Sequence, residues 1–196
     1  RAELVYQVTE DSYYSNYDSS ARPTFSNNYY EIPPETERVT VNIYSDWTDR
    51  FSTRIRFSDR FFEQDANSGD GGYGGLMPEF HIYEAGDIIY VGSDRYRGHN
   101  LIEVDQQLMS IKGNLDFDNH YITFGYETDS SSIYNSFINR YTGELNFSGL
   151  DNFYAGNYNR VEVFAVSVDA GGPYSLVRDD PALPAARFDI DETIMY

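Results

Sequence analysis

Residues 38–57 read RVTVNIYSDWTDRFSTRIRF. Val39, Val41 and Ile43 recur at every second position. Phe51, Thr53, Ile55 and Phe57 do the same, against Ser52, Arg54 and Arg56. A period of two is the mark of a strand with two chemically distinct faces, because successive side chains point to opposite sides of the pleat. Working outward in both directions, the pattern repeats. Ala2, Leu4, Tyr6 and Val8 alternate with Glu3, Val5, Gln7 and Thr9. Short strands are predicted at EFHIYE (79–84), DIIYV (87–91), NLIEV (100–104) and QLMSI (107–111), then HYITFGY (120–126), IYNSFIN (133–139), ELNFS (144–148) and RVEVFAVSV (160–168). The closing ARFDIDETIMY (186–196) puts Phe188, Ile190 and Ile194 on one face.

Turn formers separate these runs: glycines at 69–75, Gly86-Asp87, Gly92-Ser93, Lys112-Gly113-Asn114, Thr142-Gly143 and Gly171-Gly172-Pro173. No stretch of ten residues holds a 3.6-residue period. The expected fold is therefore all-β, an antiparallel β-sandwich or jelly-roll-like Greek key of about a dozen strands with no significant helix. Residues 10–37, rich in Ser, Asn and Tyr and ending in Ile32-Pro33-Pro34, have no period. This divides the chain into an N-terminal strand with an irregular linker, 1–37, and a single β-sandwich domain, 38–196.

The composition narrows the function. The 196 residues carry 32 Asp and Glu against 14 Lys and Arg, a net charge of −18. Such a surface repels phosphate backbones, so no nucleic-acid partner is expected. Without cysteine there is neither a disulfide framework nor a thiolate metal site. No apolar run nears the roughly 20 residues of a membrane-spanning helix, so no membrane insertion is expected. A start at Arg1 rather than Met fits either a processed chain or a part of a longer gene product, and the expected location is secreted, at the cell surface.

No GxSxG, P-loop or HExxH pattern is present, and His81, His99 and His120 are scattered. The chain reads as non-enzymatic. Asp65, Asn67 and Asp70 lie at short spacing in EQDANSGDGGYGG, like the oxygen ligands of a calcium loop. The pairs Asp116/Asp118 and Asp189/Asp191 each share a strand face and offer hard-cation ligands or plain solvated charge. The tyrosines at 13, 14, 17, 29 and 30 suit a protein interface better than a sugar platform, for which Trp47 is the single tryptophan.

Residues 141–172 carry Thr142, Gly143 and Leu145, then Leu150-Asp151, Tyr158, and AVSVDAG at 165–171. This resembles the second half of a cadherin-like extracellular repeat, and DANSGDGG at 65–72 is similar to that family's calcium segment. The resemblance implies a Greek-key sandwich, adhesion, and bound calcium with Asp65, Asn67 and Asp169 among its ligands.

Two functions follow as expectations. One is a self-assembling, filament- or pilus-like structural subunit whose N-terminal strand completes the sheet of a neighbouring copy through Leu4, Tyr6 and Val8. The other is a calcium-dependent adhesion or carbohydrate-binding module that recognises a glycan ligand. A viral jelly roll fits less well, because the N-terminal segment is acidic rather than basic.

Overall fold

The computed structural model describes residues 1–15, 19–20, 22–68, 77–163, 165–167, 174–176 and 185–196. The fold is all-β and built on open antiparallel sheets, as expected. Its strands are β1 (Ala2–Glu10), β2 (Tyr13–Ser15), β3 (Tyr30–Ile32), β4 (Pro34–Thr48), β5 (Phe51–Ser68), β6 (Glu79–Glu84) and β7 (Asp87–Val91). They continue as β8 (Asn100–Phe117), β9 (His120–Phe137), β10 (Glu144–Phe147), β11 (Arg160–Glu162), β12 (Ala165–Ser167), β13 (Tyr174–Leu176) and β14 (Ala186–Met195). Helix is confined, among the described residues, to a 3-10 turn at Ser26–Asn28 and α1 (Leu150–Tyr154).

The main sheet runs β1-β4-β5-β8-β9-β14, and β3, which also pairs with β2, attaches to the far end of β5. Neighbours along this path follow one another in the chain as a meander, every pair antiparallel. Four of its strands are 15 to 18 residues long. The sequence reading divided two of these. NLIEV and QLMSI are one strand, β8, and HYITFGY and IYNSFIN are joined in β9. Polar residues such as Gln106, Ser130 and Ser131 break the apolar run without breaking the ladder, since the ladder is made by backbone groups alone.

The connections are unequal. At one end of the sheet, Asp49-Arg50 and Asp118-Asn119 close hairpins between Thr48↔Phe51 and Phe117↔His120. At the other end the chain makes three long excursions, 11–33, 69–99 and 138–185. These carry the second sheet, β11-β10-β6-β7, in which β10 and β6 run parallel. Residues 10–37, which the sequence leaves irregular, hold β2, the 3-10 turn and β3, and position 37 lies inside β4. β1 pairs with β4 of its own chain over its whole length, Ala2↔Ile43 to Glu10↔Glu35.

The buried apolar side chains gather at the long-connection end: Tyr30, Ile32 and Ala66 in one cluster, with Ile82, Tyr90, Ile138 and Phe147 also buried. Phe80, Phe147 and Phe153 meet edge to face beside them, with centroids 5.2–6.0 Å apart. The tight-turn half of the main sheet contributes no buried apolar residue.

Candidate functional site

Directly paired residues share a face, so the register sorts the main sheet into two surfaces. One surface carries the rows Ala2–Ile43–Ile55–Ile111–Tyr126–Met195 and Leu4–Val41–Phe57–Met109–Thr128–Thr193. Towards the tight turns it continues through Thr53, Gly113 and Phe124 to Phe51, Leu115 and Ile122. Trp47 joins it, donating its indole N–H to Thr53 Oγ1 at 2.8 Å. Towards the long connections this face turns polar at Asp59, Gln107, Ser130 and Asp191.

The opposite surface carries Thr40–Ser58, Asn42–Arg56–Ser110–Glu127 and Arg38–Arg60–Gln106–Ser131, with Val5, Leu108 and Ile194 among them, and turns apolar towards the long connections in the row Phe62–Val104–Ile133. Phe188 and Ile190 lie on this side too, exposed on the edge strand β14.

Burial runs opposite to that of a water-soluble sheet. Thr40, Asn42 and Ser58 are only 6–7% exposed, while Ile111 is 39% and Phe57 43% exposed. Along β4 the burial alternates from Pro34 to Ile43, and over Arg38–Ile43 the polar side is in and the apolar side out. The buried hydroxyls satisfy one another, Thr40 Oγ1 to Ser58 Oγ at 2.9 Å, and Arg54 donates to Asn42 Oδ1 at 3.1 Å. An aromatic rim of Trp47 and Phe117 stands exposed on the apolar face at the tight-turn end, and Tyr121, opposite Asp116, is exposed on the other face.

Glycines on both faces are covered by rings. A Cβ on Gly113 would meet the Phe124 ring at 2.4 Å, and one on Gly125 would meet Tyr196 at 2.8 Å. Each ring occupies the space over bare backbone, a device that pins register in exposed sheet.

At the other end, the long connections are tied together by a charged cluster. The parallel register places Glu144 directly opposite Glu79. His81 lies between these two buried carboxylates, Nε2 3.3 Å from Glu79 Oε2 and Nδ1 3.2 Å from Glu144 Oε1. Arg95 and Arg140 each donate to Glu144 Oε2 at 3.0 Å, and Arg140 also meets Glu162 at 2.9 Å. Asn28 reaches in from the first connection, donating to Glu79 Oε1 and to the Gly92 carbonyl. Burial alone would raise the Glu144 carboxyl. The Asn146 and Arg95 hydrogen bonds, with His81 and Arg140 nearby, outweigh it and hold the group below its ordinary value. Burial raises Asp94, against the backbone N–H of Tyr96 at 2.7 Å that favours its charge.

Ligand atoms of Glu79, His81 and Glu144 lie within 4.8 Å of one another, close enough to hold a single metal ion. Calcium takes six to eight oxygens, and this donor set of two carboxylates and a ring nitrogen does not resemble one. Two arginines already balance its carboxylates.

The sequence-selected residues lie elsewhere. Asp65 and Asn67 are in β5, with backbones in the ladder opposite Leu101 and Glu31, not in a loop. Asp70 and Asp169 fall outside the described residues. Leu4, Tyr6 and Val8 lie on the apolar face of β1, Leu4 at 71% exposure. The Glu79–His81–Glu144 group escaped the sequence reading because 63 residues separate its halves. The apolar face was visible as alternation, but a period of two does not say which face meets which medium.

No family model, curated protein or solved structure matches this chain.

Proposed function

We propose that this chain forms part of the wall of a membrane-spanning β-barrel, with the apolar face on lipid, the polar face inward and the long connections outside the bilayer as a cap. The observation that carries the reading is the inverted burial of β4, β5 and β8. Aqueous solvent gives such a sheet no reason to expose Ile43, Ile55, Phe57, Met109 and Ile111 while enclosing Thr40, Asn42 and Ser58.

Three further features support it. A barrel strand crosses a bilayer in about 9–11 residues, and these strands exceed that, the face of the apolar band turning polar on the cap side from Asp59, Gln107 and Ser130. Outer-membrane-type barrels join strands by short turns on one side and long loops on the other, and band their apolar surface with aromatic rings. The cap-ward boundary at Asp59, Gln107, Ser130 and Asp191 gives the apolar band a height of about 25 Å, as such barrels have. The expectation of no insertion rested on helix length. No helix among the described residues is long and apolar enough to cross a membrane, and that criterion does not bear on strands.

The donor-strand reading keeps one support, the unpaired outer edge of β1, and has against it the pairing of β1 with its own β4. The calcium-adhesion reading would have to draw its ligands from Asp65 and Asn67 as members of β5 rather than of a loop. In both the protein does no chemistry, as in the barrel reading.

Trp47 provides the test, being the single tryptophan and sitting on the apolar rim. The expected result is folding into phospholipid vesicles with Trp47 fluorescence quenched by brominated acyl chains and protected from aqueous iodide. A vesicle-free soluble monomer with iodide-accessible Trp47 overturns the barrel. Filaments that vanish on removing residues 1–12 return the argument to strand donation.

A further inference from the structure

The polar face gathers positive charge beyond what its own contacts use, which are Arg54 on Asn42 and over the Tyr44 ring and Arg60 over the Phe62 ring. Five of the chain's 14 basic residues, Arg38, Arg54, Arg56, Arg60 and Lys112, lie on this one face of three adjacent strands. Four of them form two directly opposed like-charge pairs, Arg38↔Arg60 across β4 and β5 and Arg54↔Lys112 across β5 and β8. Like charges in register oppose strand pairing. With 32 carboxylates in the chain, opposite charges were abundant. Yet the ion pairs among the described residues involve none of these five. The carboxylate of Asp129 accepts from the neutral amide of Gln106, the neighbour of Arg60, at 2.8 and 3.0 Å. The buried Nε atoms of Arg56 and Arg60 have no hydrogen-bond partner among the described residues.

We infer that this stripe is a binding track for a small solute bearing two or more negative charges on phosphate or carboxylate oxygens. Arg54, Arg56 and Arg60 follow one another along β5, spread over about 20 Å at 3.4 Å per residue. Arg38 and Lys112 flank them one strand away on either side. The fork of a guanidinium meets either oxyanion through two parallel hydrogen bonds, and an anion between two opposed cations removes the repulsion that the empty face carries. The inference rests on the barrel reading, in which this face lines the lumen.

The test uses the full chain folded in detergent, titrated with inorganic pyrophosphate or citrate at constant ionic strength, with melting temperature and calorimetric heat as readouts. Expected is saturable binding of at least one probe, weakened tenfold or more in Arg56→Gln and in the double variant Arg38→Gln/Arg60→Gln. The double variant without anion should melt at the same or a higher temperature, because a repulsive pair is gone. A neutral change on the other face, Gln107→Asn, should leave binding intact. Binding of pyrophosphate alone assigns phosphate chemistry, and binding of citrate alone assigns carboxylate chemistry. A folded protein that saturates with neither, or binds equally well in the arginine variants, overturns the inference. Vesicle insertion of Trp47 is read separately, so failure of the barrel is distinguishable from failure of the track.

Discussion

Replacing Ile111 by lysine separates a lipid-facing sheet from a water-facing one by magnitude. On the apolar face of β8 the series runs Phe117, Leu115, Gly113, Ile111, Met109, Gln107. At about 3.4 Å per residue, Ile111 lies roughly 20 Å along the strand from the aromatic rim and about 14 Å from Gln107. A tilt of about 40° shortens these to roughly 15 and 10 Å along the bilayer normal, which puts Ile111 near the middle of the apolar band. A lysine at that depth costs about 2–4 kcal/mol, against about 0–1 kcal/mol near an interface. Were the face in water, Ile111, already 39% exposed, would accept lysine within about 0.5 kcal/mol. The assay is equilibrium unfolding in urea from phospholipid vesicles, comparing Ile111→Lys with Gln107→Lys. The expected difference of about 2 kcal/mol corresponds to roughly a 30-fold change in the folding equilibrium. Equal, small effects at both positions would refute the lipid-facing assignment.

Gly113→Val should destabilise the sheet by about 1–3 kcal/mol, because its Cβ collides with the Phe124 ring; Gly113→Val with Phe124→Ala should recover part of the loss in the same unfolding assay. Asp94→Asn should raise the melting temperature of the cap near neutral pH. Its carboxyl is raised by burial, so its contribution is fully present below the unfolded value of 3.8 and lost as pH rises through the folded one; the amide keeps an acceptor for Tyr96 and removes the charge. Glu144 has the opposite sign. Held low, it stabilises above the unfolded value of 4.5 and loses that contribution as pH falls through the folded one, so Glu144→Gln should flatten the acid limb of a melting-temperature-against-pH curve while lowering its neutral plateau.

How much of this was legible in the sequence differs by residue. Val39, Val41, Ile43, Ile55 and Phe57 announce strands, because a half-buried strand leaves a period of two wherever the media on its two sides differ. Strand length was hidden where Gln106, Ser130 and Ser131 replace apolar residues beyond the band. The Asp118-Asn119 turn was read as part of a carboxylate pair, since side-chain chemistry and turn geometry use the same residue types. In the cap the strands at 79–84, 87–91 and 144–147 were legible but their association was not: Glu79 and Glu144 meet through a parallel pairing that no local pattern encodes.

That pairing has a consequence for how the long-connection end of the molecule is recognised. Asn28, Glu79 with His81, and Glu144 come from three separate connections and are held by one another. An antibody or phage raised against the assembled cap meets a conformational epitope, and peptides copied from any single connection would not reproduce it. Sequence drift in one connection would alter how the other two are seen.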